Sequence, residues 1–94
     1  MPTYERTARF LREFRRLSLA KQALFLAVLK EFVAALRASP PALRVKRVQK
    51  TKEVWELSWA PDGRATFAYG DEHLPGEAHA IWRRIGSHSI LRDP

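Results

Sequence analysis

The 94-residue chain contains no cysteine, so neither a disulfide framework nor a thiolate metal site can hold it together. Only four glycines are present, and they form neither a Gly-rich phosphate loop nor a Gly-x-Ser-x-Gly nucleophile elbow. Long apolar runs are missing too: the longest, Ala23 to Leu29, is far short of a membrane span. Acidic residues are scarce, 10 against 17 Lys+Arg, and they form no Asp/Glu cluster suited to magnesium. The first seventeen residues carry Arg6, Arg9, Arg12, Arg15 and Arg16 where a signal peptide would need an apolar core. These absences predict a cytoplasmic protein with no membrane partner and no cofactor. With no internal repeat, low-complexity tract or long interior linker, residues 1–94 are expected to form a single domain.

What is present is a modest core and an uneven charge. The hydrophobic share is 46%, too high for a disordered basic tail, and the formal net charge is +7. Arg44, Lys46, Arg47, Lys50 and Lys52 fall together with no acid among them, whereas Asp71, Glu72 and Glu77 make an acidic stretch. A polyanion is the expected partner, although a basic surface also serves solubility or an acidic protein.

The first half has a helical period. Phe10, Leu11, Phe14 and Leu17 share one stripe, and a broader stripe runs from Phe25 through Val28, Leu29, Phe32, Val33 and Leu36. Ser18 is a suitable N-cap for the second helix, and Pro40-Pro41 is expected to end it. The second half alternates instead. Leu43 and Val45 alternate with Arg44 and Lys46, and the pattern slips at Val48. Trp55, Leu57 and Trp59 alternate with Glu56 and Ser58. Pro61-Asp62-Gly63 predicts a turn with glycine at positive φ, and Ala65, Phe67 and Tyr69 then alternate with Arg64 and Thr66. A last strand is expected over 79–85, ended by Gly86. The prediction is an α+β domain: two N-terminal helices on one face of a small antiparallel sheet of three to four strands, the first strand short or absent.

If the helices cover the apolar face, Arg44, Lys46, Glu56, Ser58, Arg64 and Thr66 all point from the opposite, open one. Cations, a carboxylate and hydroxyls on a rigid platform suit phosphate positioning and RNA chemistry. The same residues equally describe a solvated sheet face with Glu56 paired to Arg64 across a hairpin. His88, just past the last strand, suits general acid–base work or is a plain surface histidine. His73 and His79 match no standard metal spacing. Trp59 and Trp82 are the aromatics placed to meet a base, while Trp55, Phe67 and Tyr69 read as core. With no magnesium cluster in the sequence, phosphoester cleavage would run on side chains, through attack by an RNA 2′-hydroxyl on its neighbouring phosphate.

Helix, helix, basic strand, then Val54-Trp55-Glu56-Leu57-Ser58-Trp59, Asp62-Gly63-Arg64-Ala65-Thr66-Phe67 and Trp82-Arg83-Arg84-Ile85-Gly86-Ser87-His88, resembles the RelE/ParE superfamily of type II toxins. The closing Ile-Gly-Ser-His is similar to the YafQ-like branch, and the likeness spans most of the chain. It implies a ribosome-dependent mRNA endoribonuclease that inhibits translation and is neutralised by a cognate antitoxin. Carried over by position, Arg64 matches the arginine that stabilises the transition-state phosphate, and His88 matches the general acid. Arg84 faces the same site, or Arg83 in its place if the strand is bulged. Lys46, Lys50, Lys52, Arg44, Arg83 and Trp59 would contact mRNA and the rRNA backbone of the ribosome. RelE carries lysines where this chain has Glu56 and Ser58, so Glu56 is either the base or the salt-bridge partner that orients Arg64. Two alternatives stay open: a ParE-like DNA gyrase inhibitor on the same fold, and a nucleic-acid-binding module without chemistry.

Overall fold

The computed structural model describes residues 3–37, 45–48, 51 and 53–94. In chain order these form β1 (Thr3–Arg6), α1 (Ala8–Arg16), α2 (Leu19–Arg37), β2 (Val45–Arg47), β3 (Trp55–Ser58), β4 (Gly63–Tyr69) and β5 (His79–Ser87), followed by a 3-10 turn over His88–Arg92. Leu43, Arg44, Lys50, Lys52, Pro40-Pro41 and the side chain of Leu36 lie outside the described residues.

Capping explains where the helices begin. The Thr7 hydroxyl accepts from the backbone N–H of Phe10 at 3.1 Å, and Ser18 accepts from Lys21 at 3.2 Å, each satisfying an otherwise free donor of a first turn. Arg15 and Arg16 close α1, where positive charge suits the carbonyl end of the dipole.

The sheet has five strands in the order β1-β5-β4-β3-β2. That is one more than the upper sequence expectation, because β1 forms as a short edge strand. β1 runs parallel to β5 (Thr3↔His79 through Arg6↔Trp82), which makes the sheet mixed. Its side chains alternate with the pleat: Tyr4 and Arg6 face the helices, and Thr3 and Glu5 the other side. β5 also runs further than predicted. Gly86 does not end it but pairs with Arg64, and Ser87 pairs with Gly63.

One register shift organises β5. Thr66 pairs with Arg84 but Phe67 pairs with Trp82, so Arg83 is an extra residue. Trp82 and Ile85, three residues apart, would otherwise face opposite sides of the sheet; the bulge lets both enter the core. Trp82 is the hub, with ring centroids 5.0 Å from Phe67, 5.6 Å from Phe32, 5.7 Å from Phe25 and 5.9 Å from Phe10. Aromatic pairs at such spacings each add about 0.5–1.5 kcal/mol beyond area burial. Trp82 therefore belongs to the core and is not a base-stacking surface.

Gly63 is required for a different reason than the turn signal implied. Among the described glycines only Gly76 has a positive φ (78°). Gly63 lies against the Trp59 indole, and a Cβ there would stand 2.6 Å from Cε2.

Candidate functional site

The face of the sheet away from the helices carries two cross-strand rows set by the register. Lys46, Glu56, Thr66 and Arg84 form one, across β2, β3, β4 and β5; Ser58, Arg64 and Gly86 form the other. The register therefore puts Glu56, Arg64 and Arg84 on one surface, and the bulge, which the sequence reading expected to favour Arg83, selects Arg84 for the row instead.

The surface is less open than the sequence suggested. Residues 88–94 fold back over it: the Thr66 hydroxyl donates to the carbonyl of Pro94 at 3.1 Å, Arg83 Nε donates to the same oxygen at 3.1 Å, and Arg84 Nη1 donates to the carbonyl of Asp93 at 3.2 Å. Ile90 is buried and packs on Gly86, where an added Cβ would meet its Cγ2 at 3.0 Å. Gly86 thus makes room for the tail. Thr66, bonded to the tail, is fully buried, and its cross-strand neighbour Glu56 is 3% exposed.

Glu56 is a buried carboxylate between two cations. Arg64 Nε lies 3.5 Å from its Oε1, and Lys46 Nζ lies 3.9 Å from the same atom while remaining exposed to solvent. An unpaired carboxylate at this depth would be costly, so the two cations are what make the position tenable. Arg64 is also tied to the β3–β4 turn, its Nη1 donating to the carbonyls of Gly63 (2.9 Å), Ala60 (3.3 Å) and Pro61 (3.3 Å). The arginine therefore staples the turn and neutralises Glu56 at once.

Arg84 is committed elsewhere. Its guanidinium grips both carboxylate oxygens of Glu13 on α1, with Nε 3.2 Å from each and Nη2 2.5 Å from Oε2. Burial pushes the Glu13 carboxyl up, but the hydrogen bonds and charge of Arg84 outweigh it and hold it below its ordinary value. The same hydrogen bonds raise Arg84, against the opposing effect of burial. Nothing in the sequence pattern singled out Glu13, because it is one acid among the arginines of α1.

His88 is exposed and opens the 3-10 turn, one residue past the Gly63↔Ser87 pair. Arg83, the bulge residue, is exposed. Trp59 is buried edge-on to Phe25 at 6.3 Å, so it serves the core and offers no stacking face. Arg44, Lys50 and Lys52 lie outside the described residues.

The two remaining histidines do not converge on a ligand. The rings of His73 and His79 stack at 3.8 Å and 21°. Both nitrogens of buried His79 are taken: Nδ1 lies 2.7 Å from the Thr3 hydroxyl and Nε2 3.2 Å from a Glu5 carboxylate oxygen. The assignment that satisfies both has Nε2–H donating to Glu5 and Nδ1 accepting from Thr3. This pair anchors β1 to β5. Among the described residues no group of three or more His, Cys, Asp or Glu side chains is arranged to hold a metal ion. No described helix is long and apolar enough to cross a membrane.

No family model and no curated protein sequence matches the chain. Solved structures do, and they define the class: the chain carries the fold of RelE/ParE superfamily toxins. It is similar to a YoeB/ParE toxin from Agrobacterium tumefaciens (TM-score 0.67, 8% identity, covering 92% of this chain and 98% of that one). It is likewise similar to a RelB-RelE antitoxin-toxin complex from Methanococcus jannaschii (0.61, 10%, 94% of each chain) and to the E. coli DinJ-YafQ complex (0.58, 15%, 97% and 98%). At these identities the likeness is one of fold.

Proposed function

We propose that the chain is the toxin of a type II toxin–antitoxin pair and that it cuts mRNA on the ribosome as a metal-independent endoribonuclease. The observation that carries this reading is the corner where β4 begins and β5 ends. There the Arg64↔Gly86 and Gly63↔Ser87 pairs set Arg64 beside the strand end that leads into exposed His88, with Glu56 held against the guanidinium. In the proposed reaction an RNA 2′-oxygen attacks the neighbouring phosphorus and the 5′-oxygen of the next nucleotide leaves. His88 gives that oxygen a proton, and Arg64 offsets the charge that develops on the phosphorane. Glu56 serves best as the group that orients Arg64, since its carboxylate is buried between two cations. Arg84, held by Glu13, acts by fixing the β5 bulge, while Lys46 and Arg83 are the described exposed cations suited to the RNA backbone. Arg44, Lys50 and Lys52 extend that basic surface in the sequence reading. The cognate antitoxin, the ribosome and mRNA are the partners this reading requires, and the cytoplasm its location.

The test is His88→Ala. His88 is exposed and makes no buried contact, so the variant is expected to keep wild-type stability while losing growth inhibition and the mRNA 5′ ends mapped within codons on ribosomes. Cleavage at the wild-type rate by the variant refutes the assignment. Arg64→Ala is a poorer probe, because it also leaves Glu56 with Lys46 alone at 3.9 Å and removes three bonds to the turn. A ParE-like activity is the second reading, favoured by the name of the Agrobacterium neighbour. Gyrase-dependent DNA damage without mRNA cleavage would select it, and salt-sensitive RNA binding with neither effect would select a non-catalytic module.

A further inference from the structure

Residues 88–94 form a strap over the open face of the sheet, anchored by buried Ile90 against Gly86. The far end of the strap is held by polar groups alone. Arg83 Nε and the Thr66 hydroxyl both donate to the carbonyl of Pro94 at 3.1 Å, and Arg84 Nη1 donates to the carbonyl of Asp93 at 3.2 Å. Arg9 Nη1, from α1, donates to the Asp93 carboxylate at 3.3 Å. Three oxygens of two consecutive residues thus meet four donors drawn from α1, β4 and β5. Beside them lies a cavity of about 240 Å³, between Thr7 and Arg9 at the start of α1, Ile81 and Arg83 on β5, and Asp93 and Pro94.

Close-set acceptor oxygens on guanidiniums and a hydroxyl are how proteins hold a phosphate, and a phosphate brings the charge that carbonyls lack. While the strap is down the charges here are even: Arg9, Arg83 and Arg84 against Glu5, Glu13 and Asp93. Glu5, across from Ile81 on β1, is bonded to His79, and Glu13 is gripped by Arg84. Lifting Asp93 therefore leaves cations in excess, with Arg9 and Arg83 the guanidiniums released to a ligand. Position along the strands matters as well. The Thr66↔Arg84 pair lies two residues from Arg64↔Gly86, a step of about 7 Å. A single-stranded backbone running along β4 and β5 with one phosphate at Arg64 brings its neighbouring phosphate here.

We propose that Arg9, Arg83 and Thr66 form a second phosphate site on the path of the RNA, and that residues 93–94 fill it in the free protein, so that strap and RNA exclude one another. The proposal rests on the nuclease reading, which puts RNA on this face. The strap is a built-in competitor: it lowers the apparent affinity for RNA by the fraction of molecules in which the site is already filled.

The probe is a 2′-O-methyl RNA oligonucleotide, which has no free 2′-hydroxyl to attack its own backbone, titrated into the full chain. Ile90→Ala removes the anchor of the strap without changing charge and should tighten binding about threefold or more. Asp93→Asn, at a side chain 79% exposed, leaves the fold intact and should also tighten binding. Asp71→Asn, the same charge change on the exposed β4–β5 loop, should not. Arg9→Gln added to Ile90→Ala should reverse the gain and lower the salt slope by roughly 0.7, the value of one single-strand phosphate contact. In NMR spectra the RNA should move the Arg83 Nε–H and the Asp93 amide together, as one occupant replaces the other. Binding no tighter in both Ile90→Ala and Asp93→Asn, an equal gain from Asp71→Asn, a salt slope unaltered by Arg9→Gln, or an oligoglutamate peptide that binds as tightly as the RNA would each overturn the proposal. Failure of the nuclease reading looks different: the wild-type chain then cuts no mRNA on ribosomes, while the strap variants still gain affinity for the uncleavable oligonucleotide.

Discussion

Replacing Glu13 by glutamine tests the ion pair that fixes Arg84. Both side chains are 17% exposed, and three nitrogen–oxygen contacts join them. A solvent-exposed pair contributes about 0.2–1 kcal/mol, and breaking a fully buried one costs about 3–5 kcal/mol. Here solvent screens part of the interaction, and Arg84 keeps the carbonyl of Asp93 as a second acceptor. Glu13→Gln should therefore cost about 1–2 kcal/mol at neutral pH. For a domain of this size that corresponds to a fall in Tm of roughly 5–15 °C. The pH dependence carries the sharper information. Because the folded-state carboxyl lies below its ordinary value of 4.5, its stabilisation is fully present above that value and is lost as pH falls through the lower, folded one. Urea unfolding at pH 7 should show the full difference between wild type and variant, and the difference should shrink steadily as acidification proceeds below pH 4.5. A penalty under about 0.5 kcal/mol at pH 7, or one that stays constant down to pH 3, would refute the reasoning.

Two further outcomes follow from close packing. Gly63→Ala places a methyl 2.6 Å from the buried Trp59 ring and should cost about 1–3 kcal/mol by overpacking; the cost should fall well below that in a Trp59→Leu background, and an unchanged cost measured across the double-mutant cycle would refute the clash. Ile90→Ala should cost about 2 kcal/mol or more and speed amide exchange across 88–92 and at Thr66; exchange at the wild-type rate would show that Ile90 does not hold the tail on the sheet.

Much of the fold was legible because its signals are local. The 3.6-residue stripe through Phe10 and Phe14, the Ser18 cap and the alternation through Trp55–Trp59 and Ala65–Tyr69 each follow from side-chain period and capping chemistry. What escaped depends on contacts distant in sequence. The sequence alone leaves the first strand short or absent, because what secures it is the contact of Thr3 and Glu5 with His79, more than seventy positions away. The glycine of Pro61-Asp62-Gly63 reads as a turn residue, but the constraint on it is the Trp59 indole rather than φ.

The candidate site shows the same division with a consequence for chemistry. Alternation was sufficient to put Glu56 and Arg64 on one face, because strand period is a local property, but it did not place Arg84. It anticipated the Glu56–Arg64 pair, but neither the bonds of Arg64 to the β3–β4 turn nor the grip of Arg84 on Glu13. Arg83 and Arg84 are indistinguishable by composition, and the only sequence clue that separates them is the spacing of Trp82 and Ile85, two large apolar residues that a regular strand cannot send to the same side. That spacing requires an extra residue between them, and the extra residue decides which arginine faces Thr66. The tail carries no comparable signature, yet it is what covers Thr66 and gives Arg83 and Arg84 carbonyl oxygens to bond. In the proposed nuclease reading an RNA phosphate would therefore meet exposed His88 and Lys46 at the margins of that face and Arg64 at the β3–β4 turn, and would reach Arg83 or Arg84 only by competing with the carbonyls of Pro94 and Asp93.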